Sequence, residues 1–270
     1  MITREPEYFP ESKNWIGRLG RRCVFSFRET GRAVFLLLSA FWAMRTMFTA
    51  RARKEIVTQM FVFGIKSLGV ITIVALFTGM ILALQTGLEL RRFSQEEFIG
   101  TAVMVSMLRE MGPFMTGLIL AACVGSAIAA QIGTMVVSEE VAALEIMSID
   151  PVRFVVMPRL VAMMIMTPLL AFYTCVMGVV GGGIVGSTQL GVAWATYFDN
   201  ATRWAEVKDL MVGLFKAFLF GIIITTVACH QGFATTQGAV GVGYATRKSV
   251  IVSFLLILIV GYFVTRLFYV

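Results

Sequence analysis

Five long apolar runs, nearly free of charge and each bounded by charged residues, constrain this chain more than any other feature. They are Ser67 to Leu88, Met111 to Val137, about Leu160 to Val185, Leu210 to Cys229 with only Lys216 inside, and Ser249 to Phe268 with Arg266 near its end. A helix needs about 20 apolar residues to cross a hydrocarbon core about 30 Å thick, so each run is long enough to span. With no water there to satisfy peptide groups, a run of this length must be helical. The composition agrees: 58% hydrophobic and 14% charged residues, with a mean hydropathy of +0.83. Soluble domains carry roughly 45–50% and about 25%. The expected fold class is an all-α integral membrane protein, with residues 56–270 forming one transmembrane domain.

Residues 1–55 form a basic arm. Eleven of the 23 Lys and Arg residues precede Gln59, against five acids, and the whole chain carries a net charge of +7. Beside hydrophobic spans such an excess marks the cytoplasmic side and does not call for a nucleic-acid partner. Five spans from a cytoplasmic N-terminus leave the C-terminus outside. Within the arm, Trp15, Leu19, Cys23 and Phe27 recur four apart, with Arg18, Arg21, Arg22 and Arg28 mostly on other faces. That pattern predicts an amphipathic helix in the cytoplasmic interface. Ala33 to Met44, closed by Arg32 and Arg45, would rise only about 18 Å and reads as a re-entrant elbow.

Catalytic signatures are missing. The chain has one histidine, His230, so neither an HExxH metal site nor a histidine cluster exists. His230 falls at the cytoplasmic end of the fourth run, where a structural role is expected. Cys23, Cys123, Cys175 and Cys229 show no CxxC spacing. No GxSxG elbow and no GxxxxGK[ST] loop occur. The glycines of Gly238-Ala-Val-Gly241-Val-Gly243 lie between two runs and suit a turn. No metal or cofactor is expected in this chain, and any ATP must be used by a separate subunit.

Charge inside the membrane is costly and tends to face a cavity. Arg109–Glu110 interrupts the stretch from Phe98 to Val137, and Lys216 lies about two turns inside the fourth run, at a similar depth from the outer side. Either they share a polar cavity or Lys216 snorkels outward and Arg109 anchors at the interface. On the cytoplasmic side, Ser138 to Arg153 reads as a short helix. Ser138 would cap it, Glu139 and Glu140 would occupy its first turn, and Asp150-Pro151 would end it. Val141, Leu144 and Ile149 give it a partial apolar face. Two small-residue stripes, Gly117-Ala121-Gly125-Ala129-Gly133 and Gly178-Gly182-Gly186, predict close helix contacts.

Several of these segments resemble one family. Leu108-Arg-Glu-Met-Gly-Pro113, Gly125-Ser-Ala-Ile-Ala129, Glu139-Glu-x-x-Ala-Leu-Glu145, Ile149-Asp-Pro151-x-Arg153, Pro158-Arg159 and Gly241-Val-Gly-x-Ala-Thr246 are similar to motifs of the MlaE (YrbE) permeases, as is Thr78-Gly-Met-x-Leu82-x-x-Gln85. The likeness runs from about Ile56 to the C-terminus. It implies a permease subunit of an ABC transporter that moves phospholipid or another hydrophobic lipid between the bacterial inner membrane and the outer envelope. It further implies a homodimer, cytoplasmic ABC ATPase subunits and a periplasmic MCE-domain protein. By the same resemblance, Arg109, Glu110 and Lys216 match positions lining a lipid cavity, whose apolar walls would include Met80, Leu84 and Met111. Glu139, Glu140, Leu144, Glu145, Asp150 and Arg153 match the ATPase-coupling segment. Cys123 stands where relatives often carry an arginine. A secondary transporter or channel for a small solute is the alternative, but it would be expected to show more buried acids or broken-helix repeats. A membrane-embedded lipid enzyme lacks a catalytic constellation.

Overall fold

The computed structural model describes residues 15–46 and 49–270, without the side chains of 15–23, 25–27, 46, 50 and 51. Arg4 and Lys13 of the basic arm, and the side chains of Arg18, Arg21 and Arg22, therefore lie outside the described residues. No strand occurs among the described residues. In chain order the α-helices are α1 (Trp15–Ala43), α2 (Ala50–Phe63), α3 (Leu68–Arg92), α4 (Ile99–Ser106), α5 (Gly112–Leu120), α6 (Ser126–Val137), α7 (Glu140–Ile146), α8 (Met157–Thr188), α9 (Trp194–Arg203), α10 (Val207–Phe233) and α11 (Gly238–Tyr269).

Five helical stretches are long and apolar enough to cross a membrane: Ala52–Arg92, Glu96–Val137, Val152–Thr188, Val207–Phe233 and Gly238–Tyr269. They coincide with the five apolar runs but extend beyond each. The second is the informative case. It begins well before Arg109, so the Arg109–Glu110 pair sits within a helix and not at its end. Single π-helical turns, Met107–Met111 and Ala121–Gly125, join α4, α5 and α6 into that one span. A third, Val152–Val156, opens the span that continues as α8.

The expected amphipathic helix and elbow are continuous in α1, which runs unbroken from Trp15 to Ala43. Leu36, Ala40 and Ala43 are buried, while Val34, Phe35, Leu38 and Trp42 are exposed. The helix packs on α8, on α10 and on the π-helical turn Val152–Val156. Glu29 ties α1 to the end of α10: its Oε2 lies 3.0 Å from His230 Nε2, and Arg32 donates to its Oε1 at 3.5 Å. His230 thus has the structural role expected of it.

Small residues set the closest helix approaches. A Cβ at Gly79 of α3 would collide with the backbone of Gly178 of α8, so those helices cross backbone to backbone. Gly117 and Gly125 leave room for Phe220 and Ile224 of α10, and Gly186 for the ring of Tyr197. Both glycine stripes are therefore packing surfaces. The second, third and fourth spans form the buried middle of the bundle, whereas the first and fifth are more open. Val70, Ile73, Phe77, Ile81, Leu84 and Leu88 make an exposed apolar stripe along α3. The amphipathic helix α9, between the third and fourth spans, was not expected from the sequence. Its Tyr197 is fully buried in an apolar cluster with Ala83, Ile99, Val103, Met107 and Val179, and donates to the Val179 carbonyl at 3.2 Å. Burial pushes the Tyr197 phenol up from its ordinary value.

Candidate substrate site and coupling face

The site at one end of the bundle begins with a proline. Pro113 has no N–H, so the Arg109 carbonyl four residues earlier lacks its normal helical donor. In the same turn the Gly112 amide returns to Met107 O, five residues back, which is the π-helical bond. The freed carbonyl is taken by a side chain: Lys216 Nζ of α10 donates to Arg109 O at 2.8 Å. The same ammonium donates to Glu110 Oε1 at 2.7 Å and to Thr265 Oγ1 of α11 at 2.7 Å. The Thr265 hydroxyl in turn donates to Glu110 Oε1 at 2.5 Å. All three ammonium hydrogens are used, and Lys216 is only 1% exposed.

Arg109 points elsewhere. Its Nε donates to Asp209 Oδ1 at 2.8 Å, and its guanidinium lies 4.7 Å over the ring of Tyr269. The Tyr269 hydroxyl donates to the same Asp209 Oδ1 at 2.7 Å. Asp209 is fully buried, and its Oδ2 has no partner among the described residues. Asp209 and Lys216 stand seven residues apart on α10 and so share one face. Gly213 between them leaves space for the Leu108 carbonyl. The two terminal nitrogens of Arg109 make no hydrogen bond among the described residues, and its side chain is 38% exposed. Held at Nε and free at its fork, Arg109 can present two parallel donors to an oxyanion.

The structure thus pairs Glu110 with Lys216, sets Lys216 on the Arg109 carbonyl while the Arg109 side chain turns to Asp209 and Tyr269, and adds Thr265 to the set. It also divides the roles of the two cations. Lys216 is a saturated internal strut, and Arg109 is the one presented outward. Met80 and Met111 are partly buried against the apolar cluster around Tyr197. Leu84 is not with them: it lies on the exposed stripe of α3. Cys123 is exposed and makes no disulfide. A charge sum could have revealed Asp209, because Arg109, Glu110 and Lys216 add to +1 and a buried excess demands another acid.

At the opposite end of the bundle, α7 projects between two left-handed residues, Glu139 with φ 61° and Ser148 with φ 58°. Here the sequence expectation needs correcting. Ser138 closes α6, donating to Thr134 O at 3.0 Å, and does not cap α7. The helix is two turns long. It ends in a Schellman motif, with Ile149 N–H donating to Leu144 O and Ser148 N–H to Glu145 O, both at 2.9 Å. Asp150 caps the following turn, its Oδ1 accepting from Val152 N–H at 2.9 Å. Val141 and Leu144 pack inward, while Glu139, Glu140, Glu145, Ile146, Met147 and Arg153 are exposed. A cleft of about 570 Å³ beside it is lined by Glu55, Asp150, Arg153 and Arg159.

These features define a class: a multi-pass helical membrane protein with a buried charge cluster at one end and a short projecting helix at the other. The model of the family described as Permease MlaE matches residues 56–267, and the chain belongs to that family. It is 34% identical to the intermembrane phospholipid transport system permease protein MlaE of Haemophilus influenzae over 262 residues, covering 95% of this chain and 98% of that one. A probable ABC transporter permease protein of Rickettsia prowazekii is 41% identical over 214 residues, or 79% of this chain and 83% of that protein. The chloroplastic protein TRIGALACTOSYLDIACYLGLYCEROL 1 of Arabidopsis thaliana is 31% identical over 76% of this chain and 59% of its own length. As a member of an ABC permease family the chain is a transport subunit and not an enzyme.

Proposed function

We propose that the chain is the permease of an ATP-driven transporter moving a phospholipid between the bacterial inner membrane and the outer envelope. One observation carries the choice of substrate. Arg109 offers an unpaired fork at the outer end, next to the apolar cluster that holds Met80 and Met111. A lipid phosphate needs such a donor pair and its chains need such walls. The name of the Haemophilus relative, matched over nearly its whole length, supports the same substrate class.

In this reading two copies pair so that their Arg109 clusters, with Glu110 and Lys216, line one chamber open to the outer side. The exposed stripe on α3 supports a facing partner. The basic arm supports a cytoplasmic N-terminus. An ABC ATPase engages α7 and its flanks through Glu139, Glu140, Leu144, Glu145, Asp150 and Arg153, with Ile146 and Met147 added by their exposure. An MCE-domain protein receives the lipid outside. The test is a photoreactive residue at Met111 in membranes containing the assembled transporter. Phospholipid should be captured there, and Arg109→Ala should reduce capture while membrane abundance is kept. Equal capture in native and variant protein overturns the assignment.

A further inference from the structure

A second polar recess lies at the other end of the bundle from Arg109, in the α10–α11 hairpin. A cavity of about 390 Å³ is lined by Gln231, Thr235, Thr236, Gln237, Tyr244 and Lys248, among others. Its shape is set by backbone: Gln237 turns the chain with φ 67°, and a Cβ at Gly241 would collide with the Thr236 carbonyl. Only glycine lets the hairpin close at that point.

Three properties fit it to a ligand. First, Gln231 is 8% exposed, yet its side-chain amide makes no hydrogen bond within the described residues and borders the cavity. The amide faces the recess and is free to hydrogen-bond a polar group bound there. Second, among the described residues no carboxylate lines the recess and Lys248 makes no ion pair, while Arg247 lies 4.7 Å over the Tyr244 ring. Third, Lys248 is the last charge before the uncharged stretch Ser249 to Thr265, which places it at the boundary of the hydrocarbon core. From Lys248 the exposed residues Ile251, Leu255 and Leu258 continue along α11 at helical spacing. The recess thus has a cationic, hydrogen-bonding head and an apolar track leading into the membrane.

We propose that this recess binds the phosphate-bearing head group of a phospholipid in the leaflet opposite the Arg109 cluster, with a chain laid along Ile251, Leu255 and Leu258. The apolar track is what favours a lipid over an acidic side chain of a partner protein. The proposal requires only that the chain spans the membrane, not that Arg109 binds substrate.

The experiment uses the full chain, co-purified with its partners, in phosphatidylcholine nanodiscs. These contain a small fraction of phosphatidylglycerol with a photoreactive head group, and labelled peptides are mapped. Label is expected on residues 231–248. Gln231→Leu and Lys248→Met should each cut it about tenfold, the effect of losing a hydrogen bond to a charged group. Lys248→Arg should retain it. Label at the Arg109 end reports an intact fold, and its absence with hairpin label present would count against the function proposed above but not against this site. Unchanged label in Gln231→Leu and Lys248→Met overturns the proposal. So does displacement by excess inorganic phosphate, which marks a free-anion site. Loss of the ATPase with label unchanged also overturns it, because the recess is then a protein-docking surface.

Discussion

The two ends of this bundle treat charge in opposite ways. At the Arg109 end, Lys216 and Asp209 are buried, three helices contribute partners, and among the described residues the Arg109 fork and Asp209 Oδ2 are left unpaired. At the α7 end, Glu139, Glu140 and Glu145 are exposed on a two-turn helix whose inner face alone is packed. Buried charge is retained only where geometry satisfies it, and breaking such a set is expensive. Exposed charge contributes little to stability and is free to meet a partner. One end therefore holds a fixed arrangement of charge inside the bundle, and the other leaves its charges exposed, as the proposed ATPase contact requires.

The largest effect would come from exchanging the ends. If the basic arm sets orientation, Val270 lies outside, and a reporter fused there that works only in the cytoplasm should be silent. A fully active reporter would invert the topology and give each end the other's role.

Next in size is the strut. Lys216→Met removes all three hydrogen bonds that join α10, α11 and the π-helical turn. Glu110 remains partly solvated, at 43% exposure, so the cost should fall somewhat below that of a fully buried broken pair, about 2–4 kcal/mol. Thermal unfolding in detergent and membrane abundance should both drop. A variant of native stability would mean that Lys216 is only a snorkelling cation.

Reversal at the α7 end should behave differently. Glu139→Lys with Glu140→Lys should change stability by no more than about 0.5 kcal/mol, as exposed substitutions do. It should nevertheless weaken ATPase association severalfold, read by co-purification and by lipid-stimulated ATP hydrolysis. A large loss of stability with ATPase association kept would dissolve the contrast between the ends.

Much of this was legible in the sequence because the membrane enforces simple rules. The five spans follow from apolar length, and Arg109, Glu110 and Lys216 stand out as charges where charge is costly. The glycine stripes correctly indicate close packing. What the sequence did not disclose rests on contacts between distant positions. Asp209 borders its run and looks like an ordinary flanking charge until Arg109, a hundred residues earlier, is placed against it. The cap assigned to Ser138 failed because its hydroxyl found the carbonyl of its own helix first. The continuity of α1 was hidden by Arg28, Glu29 and Arg32, whose charges break the hydropathy but not the helix. Glu29 is held there by His230, a partner two hundred residues away.

The smallest effect tests how finely the Arg109 end is set. Tyr269→Phe keeps the ring beneath Arg109, at 4.7 Å, and removes only the hydroxyl that donates to Asp209 Oδ1. Asp209 Oδ2 already lacks a partner among the described residues, so Arg109 Nε would become the sole donor to a fully buried carboxylate. Two outcomes compete physically. If the carboxylate turns to chelate the guanidinium, the fork is drawn inward and the outward nitrogens are lost to a ligand. If it stays, the carboxylate is under-solvated and the cost, about 0.5–1.5 kcal/mol, appears as stability. The first outcome is expected, because Arg109 is the only strong donor left to that carboxylate and its unused nitrogens are close by. Lipid capture at Met111 should then fall by more than thermal stability does, whereas Tyr269→Leu, which also removes the ring, should reduce both. Capture unchanged in Tyr269→Phe would show that the hydroxyl does not help to aim Arg109.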